Sequence, residues 1–116
     1  MKASRPHRII IQYQGAPSDD GYNEVPGAWE HYCTEMARII WGTGKEQREA
    51  AQEQASQTAS FEVLSNISTR AISTKFRVCY PVDDPEPANW PAWDIQAVAD
   101  LGFNEGIRIT ATRAAA

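Results

Sequence analysis

Two histidines, two cysteines, a glycine-containing tetrapeptide ending in lysine and two carboxylate clusters are the places where this chain could do chemistry. Gly42-Thr-Gly-Lys45 invites a phosphate-loop reading. The full signature needs a glycine five residues before the final Gly-Lys pair and a Ser or Thr after the lysine, to cradle phosphates and hold magnesium. Ile39 and Glu46 occupy those places, so a turn before a helix is the better reading. His7 and His31 would each need a nucleophile and an orienting acid to act as a catalytic base, and no nucleophile-elbow motif is present. His7, beside Arg8, is expected on a strand surface, and His31 at a half-buried sheet position. Asp19-Asp20 and Asp83-Asp84 with Glu86 offer the oxygen ligands that calcium or magnesium takes, but the Asp/Gly alternation of a calcium loop is missing. They read as solvated loop acids. Cys33 and Cys79 do not form a closely spaced ligand pair, so they read as buried, reduced thiols rather than a zinc site or a disulfide. The expectation is no catalytic residue, no metal and no cofactor, and hence not an enzyme.

Composition narrows the class. A chain of 116 residues, 42% hydrophobic and 22% charged, fits one domain over residues 1–116 with a single core. The formal net charge of −4 argues against a surface that wraps a nucleic-acid backbone, which needs clustered Lys and Arg. It does not argue against a wall past which DNA merely slides. No apolar run approaches the roughly 20 residues that span a bilayer, and the stretch after the basic N-terminus is too short for a signal-peptide core. A protein made in the cytoplasm, with no membrane partner, is expected.

The elements that would position these residues are mostly strands. His7 to Gln14 is read as the first, because Ile9, Ile10 and Ile11 are β-branched and too few for a buried helix. Residues 15–28 bring Pro17, Asp19, Asp20, Gly21, Asn23, Pro26 and Gly27, which supply turns and deny ladder hydrogen bonds, so a long exposed loop is predicted. Trp29 to Trp41 alternates as a strand does; periodicity also allows a helix up to Ile40, and the Arg38-Ile-Ile-Trp41 ending before Gly42 favours the strand. Gly44 to Gln54 is the one clear helical segment, with Lys45 and Glu49 at i,i+4 spacing. Its apolar face is only Ala50, Ala51 and Ala55, so it is expected to pack across a barrel mouth or against a neighbouring subunit. Lys45, Glu46 and Arg48 are therefore candidate contacts. Further strands are predicted at Thr58 to Leu64, Lys75 to Val82, Trp93 to Val98 and Ile107 to Thr112, with a turn-rich link over 66–74 and a turn over 101–106. The strand from Lys75 should set Phe76, Val78 and Tyr80 opposite Arg77 and Cys79. Six short strands with one short helix and a long loop between the first two strands make a small β-barrel or sandwich.

Four tryptophans are many for this length. Core packing accounts for some of them. Trp90, between Asn89 and Pro91 in an acidic, proline-stiffened loop, is the least suited to a core. An exposed aromatic on a rigid loop suits a protein interface; stacking on single-stranded bases is the rival reading, weakened by Asp83, Asp84 and Glu86.

Taken in order, several pieces of the chain resemble the head–tail joining proteins of tailed bacteriophages, also called head-completion or stopper proteins. They are His7-Arg-Ile-Ile-Ile-Gln12, the Asp20-Gly21 loop before Trp29, Ala37-Arg-Ile39 leading to Gly44-Lys-Glu46, and Gln57-Thr58 before Phe61 and Val63. They continue with Phe76-Arg-Val78, Trp93-Asp-Ile-Gln-Ala-Val98 and Gly102 before Ile107-Arg-Ile109. The resemblance runs over nearly the whole chain. The family often has a tight turn between Val78 and Trp93, where this chain inserts the acidic, Pro-rich loop.

The resemblance implies a non-catalytic β-barrel subunit of a ring, typically of twelve copies, below the portal and adaptor of a phage, prophage or gene-transfer-agent particle. Such a ring retains packaged DNA, which passes through its channel, and presents the surface to which the tail terminator or tail tube docks. It places the protein in the virion neck. The loop between the first two strands would reach toward the channel or a neighbour, which makes Asp19, Asp20, Gly21, Tyr22, Asn23 and Glu24 the candidate lumen or subunit residues. The alternatives are a tail terminator or other neck component, and a small barrel that binds single-stranded nucleic acid.

Overall fold

The computed structural model describes residues 5–19, 21–42, 56–103 and 105–114. Among the described residues eight strands are present: β1 (His7–Gln14), β2 (Ser18–Asp19), β3 (Glu24–Val25), β4 (Trp29–Trp41), β5 (Ser56–Leu64), β6 (Arg77–Cys79), β7 (Ala92–Leu101) and β8 (Gly106–Ala114). Six of them close into an antiparallel barrel in the order β1-β4-β5-β8-β7-β6, and β2 and β3 form a separate two-stranded sheet. The mainly β, six-stranded barrel expected from the sequence is therefore the fold.

Alternation along the strands builds the interior. Ile9 and Ile11 of β1, Phe61 and Val63 of β5, Val78 of β6, Trp93 and Ile95 of β7, and Ile107 and Ile109 of β8 form one buried cluster. Phe61 and Trp93 meet edge to face with ring centroids 5.5 Å apart, the geometry that the ring quadrupoles favour. The Trp93 indole N–H donates to the Tyr80 carbonyl at 3.0 Å, so the largest core side chain carries no unmet donor. Phe76 and Tyr80 pack against the same cluster while Cys79 joins another, as the predicted alternation requires.

β1 is covered on both faces. Ile10 points out of the barrel, yet it is buried beneath Cys79, Val82 and the half-buried Trp90. The acidic loop after β6 thus folds flat over the outer wall. β6 begins at Arg77 rather than Lys75, and it stops short of the predicted Val82 because Pro81 has no N–H to extend a ladder. β7 and β8 run further than predicted, to Leu101 and from Gly106, since they pair with each other almost to their turn.

Two further departures concern segments read as irregular. The 15–28 loop contains ladder pairing after all: Ser18 faces Val25 and Asp19 faces Glu24. The 66–74 link contains a one-turn helix, α1 (Ile67–Arg70), held by a capping box in which Asn66 accepts from the Thr69 N–H and the Thr69 hydroxyl accepts from the Asn66 N–H. The helix predicted at Gly44 to Gln54 lies outside the described residues, as do Lys45, Glu46, Arg48 and Asp20.

Candidate interaction surface at one barrel mouth

The strand directions sort the loops between the two mouths. At one mouth β1, β5 and β7 end while β4, β6 and β8 begin. That mouth carries the 15–28 hairpin, α1 with the turn to β6, and the turn between β7 and β8. The opposite mouth carries the acidic loop that joins β6 to β7.

The hairpin is built on a tight stem. The Gly15 N–H donates to the Ala28 carbonyl at 2.8 Å, and the Gln14 amide donates to the Gly27 carbonyl at 3.0 Å. The two chains approach so closely that a Cβ on Gly27 would lie 2.0 Å from the Gly15 carbonyl oxygen. At the tip, the Asp19 carboxylate accepts from the Gly21 N–H at 2.8 Å, and Gly21 adopts a φ of 96°, a conformation that favours glycine. Asp19, Tyr22, Asn23 and Glu24 are exposed, Tyr22 to 93%. Of the candidate lumen residues, the structure thus brings Asp19, Gly21, Tyr22, Asn23 and Glu24 together on one projection.

At the base of the hairpin lies an aromatic groove of about 620 Å³, lined by Tyr13, Gln14, Gly15, Tyr32, Lys75 and Phe76. The β1–β4 ladder steps past Tyr32, pairing Ile11 with Cys33 and Gln12 with His31; such a bulge re-aims a side chain at a sheet edge. Tyr32 stacks edge to face on Phe76 at 4.7 Å and faces Tyr13 at 6.5 Å. Its hydroxyl donates to the Ser68 carbonyl of α1 at 2.7 Å, which ties the groove to the capped turn. The Arg77 guanidinium sits 4.3 Å over the Trp29 ring and donates to Gln12 at 2.7 Å. Tyr13 keeps its proton to higher pH than usual, through the neighbouring Glu30 carboxylate and a hydrogen bond to it.

Trp90 does not project. Its indole N–H donates to the Asp84 carbonyl at 2.7 Å, and its ring packs on the outer cluster around Ile10. The Asp84 carboxylate accepts from the Glu86 N–H and the Asn89 amide, while Asp83 and Glu86 are exposed. The exposed-aromatic reading of Trp90 is corrected by this packing: an indole finds more apolar contact on the covered Ile10 than in solvent. Sequence reasoning missed Phe103, which is 91% exposed in the β7–β8 turn. The available signal was an aromatic immediately after the positive-φ Gly102 in a tight turn, where no core position exists.

The two histidines contact different hydroxyls. The Tyr80 hydroxyl and His7 Nδ1 are 2.9 Å apart, and His31 Nε2 lies 2.9 Å from the Thr34 hydroxyl. His31 is exposed rather than half-buried, because the bulge beside it turns it outward. Cys33 and Cys79 are free thiols, Cys79 buried and Cys33 half-buried. Burial, aided by Glu35, pushes the Cys33 thiol up to about 11, and burial raises Cys79 as well; neither is an activated nucleophile at neutral pH. Among the described residues no three His, Cys, Asp or Glu side chains could share a metal ion. Among them, too, no helix is long and apolar enough to cross a membrane.

Neither a family model nor a curated protein matches the sequence. Among solved structures, the chain is similar to protein SF1141 from Shigella flexneri 2a, whose solution structure is 20% identical with a TM-score of 0.65. The match covers 100% of this chain and 98% of that one. At that identity the likeness is one of fold: a second sequence adopts this barrel over its whole length.

Proposed function

We propose that this protein is a structural, non-catalytic head-closure subunit of a tailed phage, prophage or gene transfer agent. It forms a ring in the neck below the portal and adaptor, and the ring retains packaged DNA and receives the tail. The observation that carries the reading is the hairpin built on Gly15–Ala28 and Gly27. It holds Tyr22 and the carboxylates of Asp19 and Glu24 away from a rigid barrel, at the end of the loop between β1 and β4. In a ring such a hairpin sits where it can face a channel, and exposed carboxylates there keep DNA from adhering. The sequence resemblance points the same way.

The test is electron microscopy of particles produced with this gene deleted. Separate tails beside heads that packaged and then lost DNA are the expected result. Filled heads with tails of uncontrolled length would instead assign the chain to a tail terminator. Complete particles with joined tails would sink the neck role altogether.

A further inference from the structure

We infer that the Phe103 turn of one copy seats in the aromatic groove of the next, and that this is the contact by which the barrels join side by side. The inference rests on the ring reading above and names its subunit contact. Phe103 is the most exposed phenylalanine of the chain, at 91%, on a hairpin turn whose strands are paired up to Leu101 and Gly106. A benzyl group held in water beside two paired strand ends gains the transfer free energy of its area on docking.

The groove suits that side chain. Tyr13, Tyr32 and Phe76 present ring edges and faces around about 620 Å³, and the edge-to-face chain they already form can be extended by one more ring. The charges also complement. Asp100 and Glu105 flank Phe103 and are exposed, while Lys75 lines the groove and Arg77 lies alongside over Trp29. Glu30, the acid at the groove's edge, is engaged with the Tyr13 hydroxyl.

Placement decides between Phe103 and the two other most exposed apolar side chains of this mouth. Tyr22 stands on the hairpin beside the groove and Ile67 on α1 beside it. Docking a neighbour's Tyr22 would bring its acidic tip against the acidic tip of the receiving copy. The groove is centred on β1, and the Phe103 turn springs from β7 and β8. In the closed order β1 and β8 are three strands apart in either direction. β7 is two strands from β1, so knob and socket lie at one mouth on different flanks. Joining different patches in this way makes a heterologous contact, which propagates by rotation and closes into a ring.

The experiment is thiol cross-linking of full-length chains. Thr74→Cys marks the groove and Glu105→Cys marks the turn; both positions are exposed, and the native thiols are buried or half-buried and protonated at neutral pH. With a short bis-maleimide, a mixture of the two chains should yield mixed dimers about tenfold in excess of the dimers each forms alone, the discrimination that one seated aromatic supplies. Adding Phe103→Ala to the Glu105→Cys chain should return the yield to that of random collision without affecting the fold. Equal yields of mixed and like dimers would overturn the contact. So would a salt-dependent loss of cross-linking on adding a thymidine oligonucleotide, which would give the groove to nucleic acid. Gene deletion reads the ring itself, so Phe103→Ala particles with normally joined tails sink this contact while leaving the neck role standing.

Discussion

The segment over 15–28 and the segment over 80–91 are chemically alike and end up as opposites. Each contains prolines and adjacent aspartates, with Tyr22 in the middle of the first and Trp90 near the end of the second. The first leaves the barrel and holds Tyr22 in solvent; the second lies flat, with Trp90 half-buried on Ile10, Cys79 and Val82. What differs is the surface beneath. Three consecutive isoleucines in β1 put Ile10 on the outer wall, and an uncovered isoleucine there would leave apolar area in water. Loop 80–91 supplies the cover. The apolar surface near the hairpin, the groove of Tyr13, Tyr32 and Phe76, lies at its base rather than under its tip, where a Cβ on Gly21 would meet open space. Loop composition sets where turns fall, but the apolar area below decides whether the loop projects or docks.

The contrast can be broken most strongly at Trp90. Trp90→Ala removes the cover of Ile10 and the anchor to the Asp84 carbonyl, and should lower the denaturation free energy by about 2–3 kcal/mol. Tyr22→Ala should change it by no more than about 0.5 kcal/mol. Equal effects in chemical denaturation would erase the distinction. Next comes Gly27→Ala. The new methyl meets backbone rather than a movable side chain, so the stem must open at a cost of about 1–3 kcal/mol. Amide exchange should then quicken at Gly15 and leave Trp90 unchanged; protection retained at Gly15 would contradict the stem.

A smaller effect, about 1 kcal/mol, is expected from Asn66→Ala, which unties α1 from its cap. Because Tyr32 donates to Ser68 in that turn, its ring resonances should broaden or shift while those of Trp90 stay put. A further effect, nil at neutral pH, concerns the thiols. With folded pKa values raised, the unfolded chain ionises first, so stability that is full below pH 9 falls as pH rises through the Cys33 value of about 11. Denaturation midpoints followed from pH 8 to 11 should decline, and less so in Cys33→Ser. In Trp90→Ala, maleimide should reach Cys79 faster and Cys33 at an unchanged rate.

Much of the barrel was legible because period-two patterns survive wherever one face is dry. β1 and β4 fall on their predicted bounds, and the alternation of Phe76, Val78 and Tyr80 against Cys79 is met by two separate apolar clusters. The groove was not legible. Its three aromatics come from β1, β4 and the turn before β6, and the bulge that re-aims Tyr32 leaves no mark on alternation. Trp90 and His31 were misplaced for a related reason: a neighbour distant in sequence covers the one, and a local slip of register exposes the other.

By itself the sequence determined that the chain would be strands, where most of them would lie, and which side chains would face the core, because β-branching and alternation are local properties. Only the tertiary structure decided which face of β1 needed a second cover, which loop supplied it, and that an aromatic knob and an aromatic groove share one mouth on different flanks. Those follow from barrel closure, which sets strand neighbours and loop placement through pairings between residues far apart in the chain.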